Sequence, residues 1–507
     1  MSLESFKEKP WLSPHSTYKQ SAFVISPAPE YASSEVLLAS LYRSIGFASA
    51  SEASVPQAGR ELDKAIELRR RHKTQPEGAT LGPDDWFTML HGILESPKLP
   101  KQSKLRFIQM TPLVPEAALF SNSPRLRGNP WNPGLIVRNM VAMGTPDEAS
   151  AQALWKDLFQ ALTIDDEDDV FARWLHREAQ AWTGSTEWAL VPLQEGETFR
   201  LARTDHDAIR FLPARRFSAD LRAIIDIKAR LTRRQWTSLL EAVLRLGAVA
   251  HVAWLCDVHE RTWRVVRDSL AGHGPANEEE VRGQVFPLDA NYMAYGAKAL
   301  NSFKDLASSY LIARLGINTV LWALDEAGVK QSGDLSSSLG IATLCKVVRD
   351  QRVKLESMGT LDCFYDLAEQ EARTLACDKG IGNNLFEFAR HVLGQRQTAV
   401  PILRGYDQGY ILRKAGSHSN SPWILSLGPV AVLAMVHCAL HGMNGPRSIH
   451  RLAEHLAGYG VLVNRNDIAQ NDLGQQLRLL GLVLDSPDAE SGMLLLPPFA
   501  PSNHIPS

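Results

Sequence analysis

LGPVAVLAMVHCALHGMNGPRSIHRLAEHLAGYGVLVNRNDIAQNDLGQQLRLLGLVLDSPDAESGMLLLPPF, running from Leu427 to Phe499, is the stretch that decides how the chain reads. Pro429 to Gly442 is apolar almost all round, and such a helix must be buried. Gly442 and Asn444-Gly445-Pro446 end it by offering conformations a helix cannot hold. A second helix is expected from Ser448 to Ala457, with Ile449, Leu452 and Leu456 inward and Gly458 as its stop. A third is expected from Asp467 to Leu480. There Leu473, Leu477 and Leu480 share one side, while Asn471, Gln475 and Arg478 fall on the other. Leu482–Asp485 and Met493–Leu496 follow as a hairpin, with turn chemistry from Ser486-Pro487-Asp488 and Ser491-Gly492. Three helices and a hairpin in this order predict a winged helix-turn-helix over 425–499, a module whose third helix reads nucleic acid or docks on a partner.

The outward residue types suit base edges, Arg478 for guanine and Asn471 or Gln475 for adenine, with Arg465 placed to meet a phosphate. The charges around them point the other way. Asp485, Asp488 and Glu490 occupy the wing, and Asp467 and Asp472 flank the third helix, where a phosphate-touching surface needs lysine or arginine. Double-stranded DNA and a partner protein therefore both stand as candidate ligands of this unit.

Upstream the pattern is helical almost throughout, so the chain is expected to be mainly α. Residues 1–30, with Pro10, Pro14, Pro27 and Pro29, read as an extended arm, and 31–272 as a helical domain. Gly272, Gly274, Pro275, Gly283 and Pro287 mark 272–289 as a linker, and 290–415 reads as a second helical domain. The stretch from Trp188 to Phe211 has room for one or two strands. Ser218 and Thr145 are placed as helix N-caps, Thr232-Arg233-Arg234-Gln235 as a capping box, and Gly247 as a bend or end of the helix that follows.

Composition sets limits. A chain of 507 residues exceeds one compact core, and 45 % hydrophobic with 22 % charged residues is an ordinary globular balance. The net charge of −2 excludes a uniformly basic nucleic-acid coat, so any such contact is local. The polar start carries no signal-peptide pattern, and no membrane span is expected. Five scattered cysteines without a CxxC pair fit reduced thiols and a cytoplasmic location.

Arg215, Arg216, Arg222, Lys228, Arg230, Arg233 and Arg234 crowd one segment. They read either as a phosphate-contacting patch or as a solvated helix face with i,i+4 pairing to Asp226. Arg215, Arg216, Arg233 and Arg234 are its candidate nucleic-acid contacts. His437 and His441 have metal-binding spacing, but Cys438 stands where a metalloprotease needs glutamate, and a buried helical role is the simpler reading. The run Asp165–Asp169 suits helix capping better than Mg²⁺. No phosphate loop, nucleophile elbow or dinucleotide fingerprint occurs, so no catalytic residue, metal site or cofactor is assigned.

Two stretches carry a resemblance: Leu231-Thr232-Arg233-Arg234-Gln235-Trp236-Thr237-Ser238-Leu239-Leu240-Glu241, and Asp472-Leu473-Gly474-Gln475-Gln476-Leu477-Arg478 with its hairpin. Over about a fifth of the chain they resemble accessory proteins of bacterial anti-phage defence islands, such as those that accompany DNA-modification systems. The resemblance implies a cytoplasmic bacterial protein acting with other defence-system subunits that mark or attack DNA. Three functions follow: a non-catalytic component that binds DNA or a partner, a protein-only scaffold or effector, and a metal-dependent nuclease whose site the sequence does not display.

Overall fold

The capping box opens the longest element of the chain. In the computed structural model Thr232 accepts from the Gln235 amide and Gln235 answers to the Thr232 amide, and the helix so started runs unbroken from Arg233 to Leu270. The structure describes residues 6–7, 21, 23, 25, 34–49, 55–95, 110–121, 133–184, 187–193, 200–296, 299–329, 335–369, 381–394, 407–416, 418, 420–465, 468–485 and 493–499. The wing turn at 486–490, the N-terminal residues 8–20 and Asp467 lie outside them.

In chain order the helices are α1 (Ser34–Gly46), α2 (Val55–His72), α3 (Pro83–Met89), α4 (Pro133–Gly144), α5 (Glu148–Leu162), α6 (Val170–Thr183), α7 (Arg203–Ala208), α8 (Pro213–Asp226) and α9 (Arg233–Leu270). Then follow α10 (Glu278–Val285), α11 (Asn301–Glu326), α12 (Ser338–Asp350), α13 (Arg352–Ser357), α14 (Thr360–Glu369), α15 (Ile381–Leu393), α16 (Pro429–Leu440), α17 (His450–Ala457) and α18 (Asp472–Leu479). The strands are two or three residues long: β1 (Met293–Ala294), β2 (Leu412–Lys414), β3 (Trp423–Leu425), β4 (Arg447–Ser448), β5 (Val461–Leu462), β6 (Val483–Asp485) and β7 (Met493–Leu495). The protein is mainly helical.

Helix α9 is the axis. Its middle, 242–259, is buried on every side, its ends carry exposed charges such as Arg234 and Arg264, and it packs against α1, α4, α8, α10, α11, α12, α15 and α16. By length and composition it passes for a membrane span, but 94 % of its apolar window is buried inside the protein, which marks it as a core helix. Gly247 does not bend it. A Cβ there would stand 2.5 Å from the Phe217 ring, so the glycine lets α8 lie close. One hydrophobic core holds side chains from α1, α9, α11 and α16 to α18 together. A smaller second cluster, around Trp86 stacked on Trp182 at 5.8 Å, joins α2, α3 and α6.

Local expectations shift where packing overrides them. The 272–289 stretch carries α10, capped by Asn277 and buried through Val281 and Val285. The described part of 188–211 holds α7 and no strand. Helix α8 starts at Pro213, so Ser218 sits inside it and donates to the Met140 carbonyl at 3.4 Å. Asp147, not Thr145, caps α5.

Arg233 fixes the junction of five segments. Its guanidinium donates to the carbonyls of Leu113 (2.9 Å) and Ala161 (2.8 Å), to that of Leu162 and to the Tyr42 hydroxyl (2.9 Å), with Asp168 at 3.6 Å. Ala161 and Leu162 end α5, so these bonds satisfy carbonyls the helix itself leaves open. Replacing Arg233 by Ala removes the charge and strands those acceptors. It is expected to cost about 3–5 kcal/mol in urea unfolding.

His251 lies wholly buried in α9, stacked on Trp254, with neither ring nitrogen hydrogen-bonded. Burial pushes its pKa down to about 3. The unfolded chain takes up a proton near the ordinary histidine value of about 6.5, whereas the folded one does not. Stability from this group is therefore complete above about pH 6.5 and falls by up to about 1.4 kcal/mol per pH unit below it. His251→Leu is expected to reduce the acid slope of unfolding free energy by about one proton, measured from about pH 7 to pH 5.

Candidate interaction face of the C-terminal unit

The tail is built onto the helical body by side chains rather than by a free linker. Gly428 and Pro429 open α16, whose buried face enters the main core. Asp220 on α8 then seats α17: one of its carboxylate oxygens accepts from Tyr459 at 2.7 Å and from His455 at 2.9 Å, all three groups buried. Burial and the Asp220 charge push the Tyr459 hydroxyl well above its ordinary value, so it stays a donor. His437 donates to the Ala223 carbonyl at 2.9 Å and His441 meets Asp226 at 2.9 Å. The two histidines thus clamp α16 on α8. Strand β5 pairs in parallel with β1, which joins the tail to the chain before α11.

The tail runs helix, strand, helix, strand, helix and hairpin, the second strand being β5. Strands β4, β7 and β6 form one antiparallel sheet in that order, with Arg447 opposite Leu495 and Asp485 opposite Met493. The third helix is shorter than its sequence suggests because Asn471 caps it. The Asn471 side-chain oxygen accepts from the amides of Leu473 (2.9 Å) and Gly474 (3.2 Å). Asn471 is therefore turned onto its own helix, not outward.

Gln475 is exposed. Arg478 is also exposed but folds back, donating to the Ala469 carbonyl at 2.8 Å and pairing with Asp485 at 3.2 Å. Arg465 lies 3.8 Å from Glu454, which Arg451 approaches at 3.7 Å. The sequence reading overlooked the apolar part of this face. Leu479 is 81 % exposed and Leu484 48 %. An 81 % exposed leucine stands out because α18 has other leucines, Leu473 and Leu477, fully buried on its opposite side. Over 425–499 the chain carries four arginines and no lysine against six carboxylates, so the unit as a whole is acidic.

The upstream arginines do not form one patch. Arg233 is buried as described, a correction that follows from its carbonyl partners. Arg215 is half-buried and donates to the carbonyls of Ile209 (3.0 Å) and His206. Arg216 lies against Gly458, where a Cβ would stand 2.8 Å from its Nε. Arg234 is exposed at the rim of a polar cleft of about 180 Å³ between α1, α9 and the turn at 407–409. Within that cleft Arg245 donates to Glu241 (2.5 Å) and Asp407 (2.7 Å). Burial raises the pKa of Glu241. The nearest sequence signal for this cluster was only the i,i+4 spacing of Glu241 and Arg245.

Among the described residues no group of three or more histidine, cysteine or carboxylate side chains is placed to hold a metal. The chain matches no protein-family model, no curated protein and no solved structure. Because Asn471 is a cap, Asn471→Ala is expected to lower unfolding free energy by about 1 kcal/mol. Gln475→Ala, exposed and uncommitted to a cap, should change it by less than about 0.5 kcal/mol in the same urea titration.

Proposed function

We propose that this chain is a non-catalytic, helical component of a multi-subunit bacterial antiviral defence system in the cytoplasm. Its C-terminal unit acts as a winged helix that docks on a partner subunit. Support for the winged helix comes from the order of elements and from β4 joining the β6–β7 hairpin in one sheet. Support for the defence role comes from the resemblance of the Leu231–Glu241 and Asp472–Arg478 stretches described above.

The observation that favours protein over DNA is the character of the α18 face. Its exposed arginine is already paired with Asp485, and the next residue, Leu479, offers its side chain to solvent. DNA affinity comes mainly from cations that displace counterions from phosphates. A neutralised arginine beside an exposed leucine gains little that way, whereas apolar anchors ringed by polar groups are what protein interfaces use. Double-stranded DNA is the second reading, favoured by Arg451 and Arg465, about half exposed on the neighbouring edge and sharing the single carboxylate of Glu454.

The test is tagged purification from cells expressing the chain with its genomic neighbours, wild type against Leu479→Glu. A co-purifying subunit should be lost at least about tenfold in the variant, with the unfolding midpoint unchanged. Undiminished recovery of that subunit would remove α18 as the docking face. Gel shift with a random duplex separates the second reading. Retardation that weakens steeply from about 50 to about 200 mM salt, and that disappears in Arg465→Glu, would favour DNA instead.

A further inference from the structure

The sheet of the C-terminal unit has an open side. Its strand order is β4, β7, β6, so β6 has a neighbour on one edge only. The register fixes which of its backbone groups are spent. Val483 stands opposite Leu495, Leu484 opposite Leu494 and Asp485 opposite Met493, and just before them the Leu482 carbonyl accepts from the Leu496 amide at 2.8 Å. In an antiparallel ladder, residues that exchange both bonds with their opposite number alternate with residues that exchange none. Leu482 and Leu484 therefore bond to β7, while the amides and carbonyls of Val483 and Asp485 point away from it. Among the described residues no turn, loop or cap bond reaches these outward groups.

Side chains sort by the same alternation. Those of Val483 and Asp485 lie on one face of the sheet and that of Leu484 on the other. The Asp485 carboxylate meets Arg478 at 3.2 Å, so its face is the α18 side, and α18 ends in the exposed Leu479. Leu484, about half exposed, lies on the far face opposite Leu494. Free edges are ordinarily guarded by lysine, by proline or by an uncompensated charge. Strand β6 reads Val483-Leu484-Asp485, with neither lysine nor proline, and its one charge is already paired. Over 425–499 the unit carries four arginines and no lysine against six carboxylates, which draws a basic ligand and repels an acidic one.

Resting on the docking role of the α18 face given above, we propose that the partner enters as an extended basic segment that adds a strand along β6. The outward amides and carbonyls of Val483 and Asp485 bond to its main chain, which holds any extended sequence. Selection among sequences comes from the alternation. Every second side chain of the added strand falls on the Leu484 face, which takes an apolar residue. Those between fall on the α18 side, where the acidic character of the unit suits lysine or arginine. The fitting segment therefore alternates basic with β-branched apolar residues. Duplex DNA offers no main-chain donors or acceptors at strand spacing, so it does not use this edge.

The probe is a fluorescent octapeptide of alternating lysine and valine, titrated with the full chain and read by anisotropy. A second copy, methylated on alternate backbone nitrogens, keeps every side chain and charge but cannot pair as a strand. It is expected to bind at least about tenfold more weakly, since it loses more than one hydrogen bond. Asp485→Pro should weaken the parent peptide by at least about tenfold too, with the unfolding midpoint unchanged, because proline is tolerated where the amide faces away from the ladder. Asp485→Asn keeps that amide and should bind within about fivefold of wild type. Replacing the lysines of the peptide by glutamate should weaken it by at least about tenfold. Failure of the parent peptide to bind at about 1 mM, or equal binding of the methylated copy, overturns the added strand even if the proline variant does not fold. So does a homodimer that Asp485→Pro dissociates, because the occupant is then a second copy of this chain. In the co-purification described above, loss of the subunit from Leu479→Glu with full recovery by Asp485→Pro leaves α18 as the docking face and removes β6. Full recovery by both variants removes the docking reading as well.

Discussion

Covering the middle of a 38-residue helix on every side is the constraint that shapes this molecule. At 1.5 Å per residue α9 is about 57 Å long, and its largely apolar middle, 242–259, cannot face water along any side without a large loss of hydrophobic free energy. Its neighbours come from all along the chain, from α1 near the start to α16 in the tail. Close approach is needed where they cross, and glycine provides it at Gly247 against Phe217. The entry of α9 is fixed more firmly than its exit. The Thr232–Gln235 box and Arg233 lock its first turn to four other segments, whereas its end is closed at Ala271 by backbone bonds to Arg267 and Ser269.

This arrangement explains which parts of the fold were legible in the sequence. The helical periods of α9, α11 and α16, and the capping box, are local features, and local features are written in adjacent residues. The fate of the basic segment is not local. Arg215, Arg216, Arg233 and Arg234 are four arginines within twenty residues, and a linear reading treats them as one patch. In three dimensions they serve four separate ends: loop carbonyls, the Gly458 contact, the α5 terminus and the cleft rim. Arginine can do this because five donors on one planar group bridge several carbonyls, a use with no signature in spacing. The acidic run 165–169 hides the same lesson. Asp169 caps α6 while Asp168 is buried against Lys228 and Arg233.

The tail shows a finer division. Its alternation of buried leucines with polar positions indicated which side of the third helix faces the core, and Leu473 and Leu477 are buried there. The outward side was harder to read, because exposure does not settle what a polar group is doing. Asn471 spends its oxygen on a cap and Arg478 of α18 pairs with Asp485 at the end of β6. A cap-forming asparagine and a base-reading asparagine look alike in one dimension. They differ only in whether the residue stands at the first amide of the helix or one turn later, and helix ends are the least certain part of any sequence reading.

The seat of the tail bears on how any binding there is transmitted. Asp220 receives Tyr459 and His455 through one oxygen, inside a region where all three groups are buried. Loss of either donor would leave a buried carboxylate undersatisfied, which is costlier than the bond itself is favourable. The contact therefore resists partial loosening: it is made as a unit or lost as a unit. Helix α18 packs on α16, and α16 packs on both α8 and α9, so force applied at α18 passes through α16 to the central helix. A partner held on the α18 face is thus held against the body of the protein. That rigid mounting suits a structural subunit, whose task is to fix the relative positions of its neighbours, better than a recognition head that searches on a flexible tether.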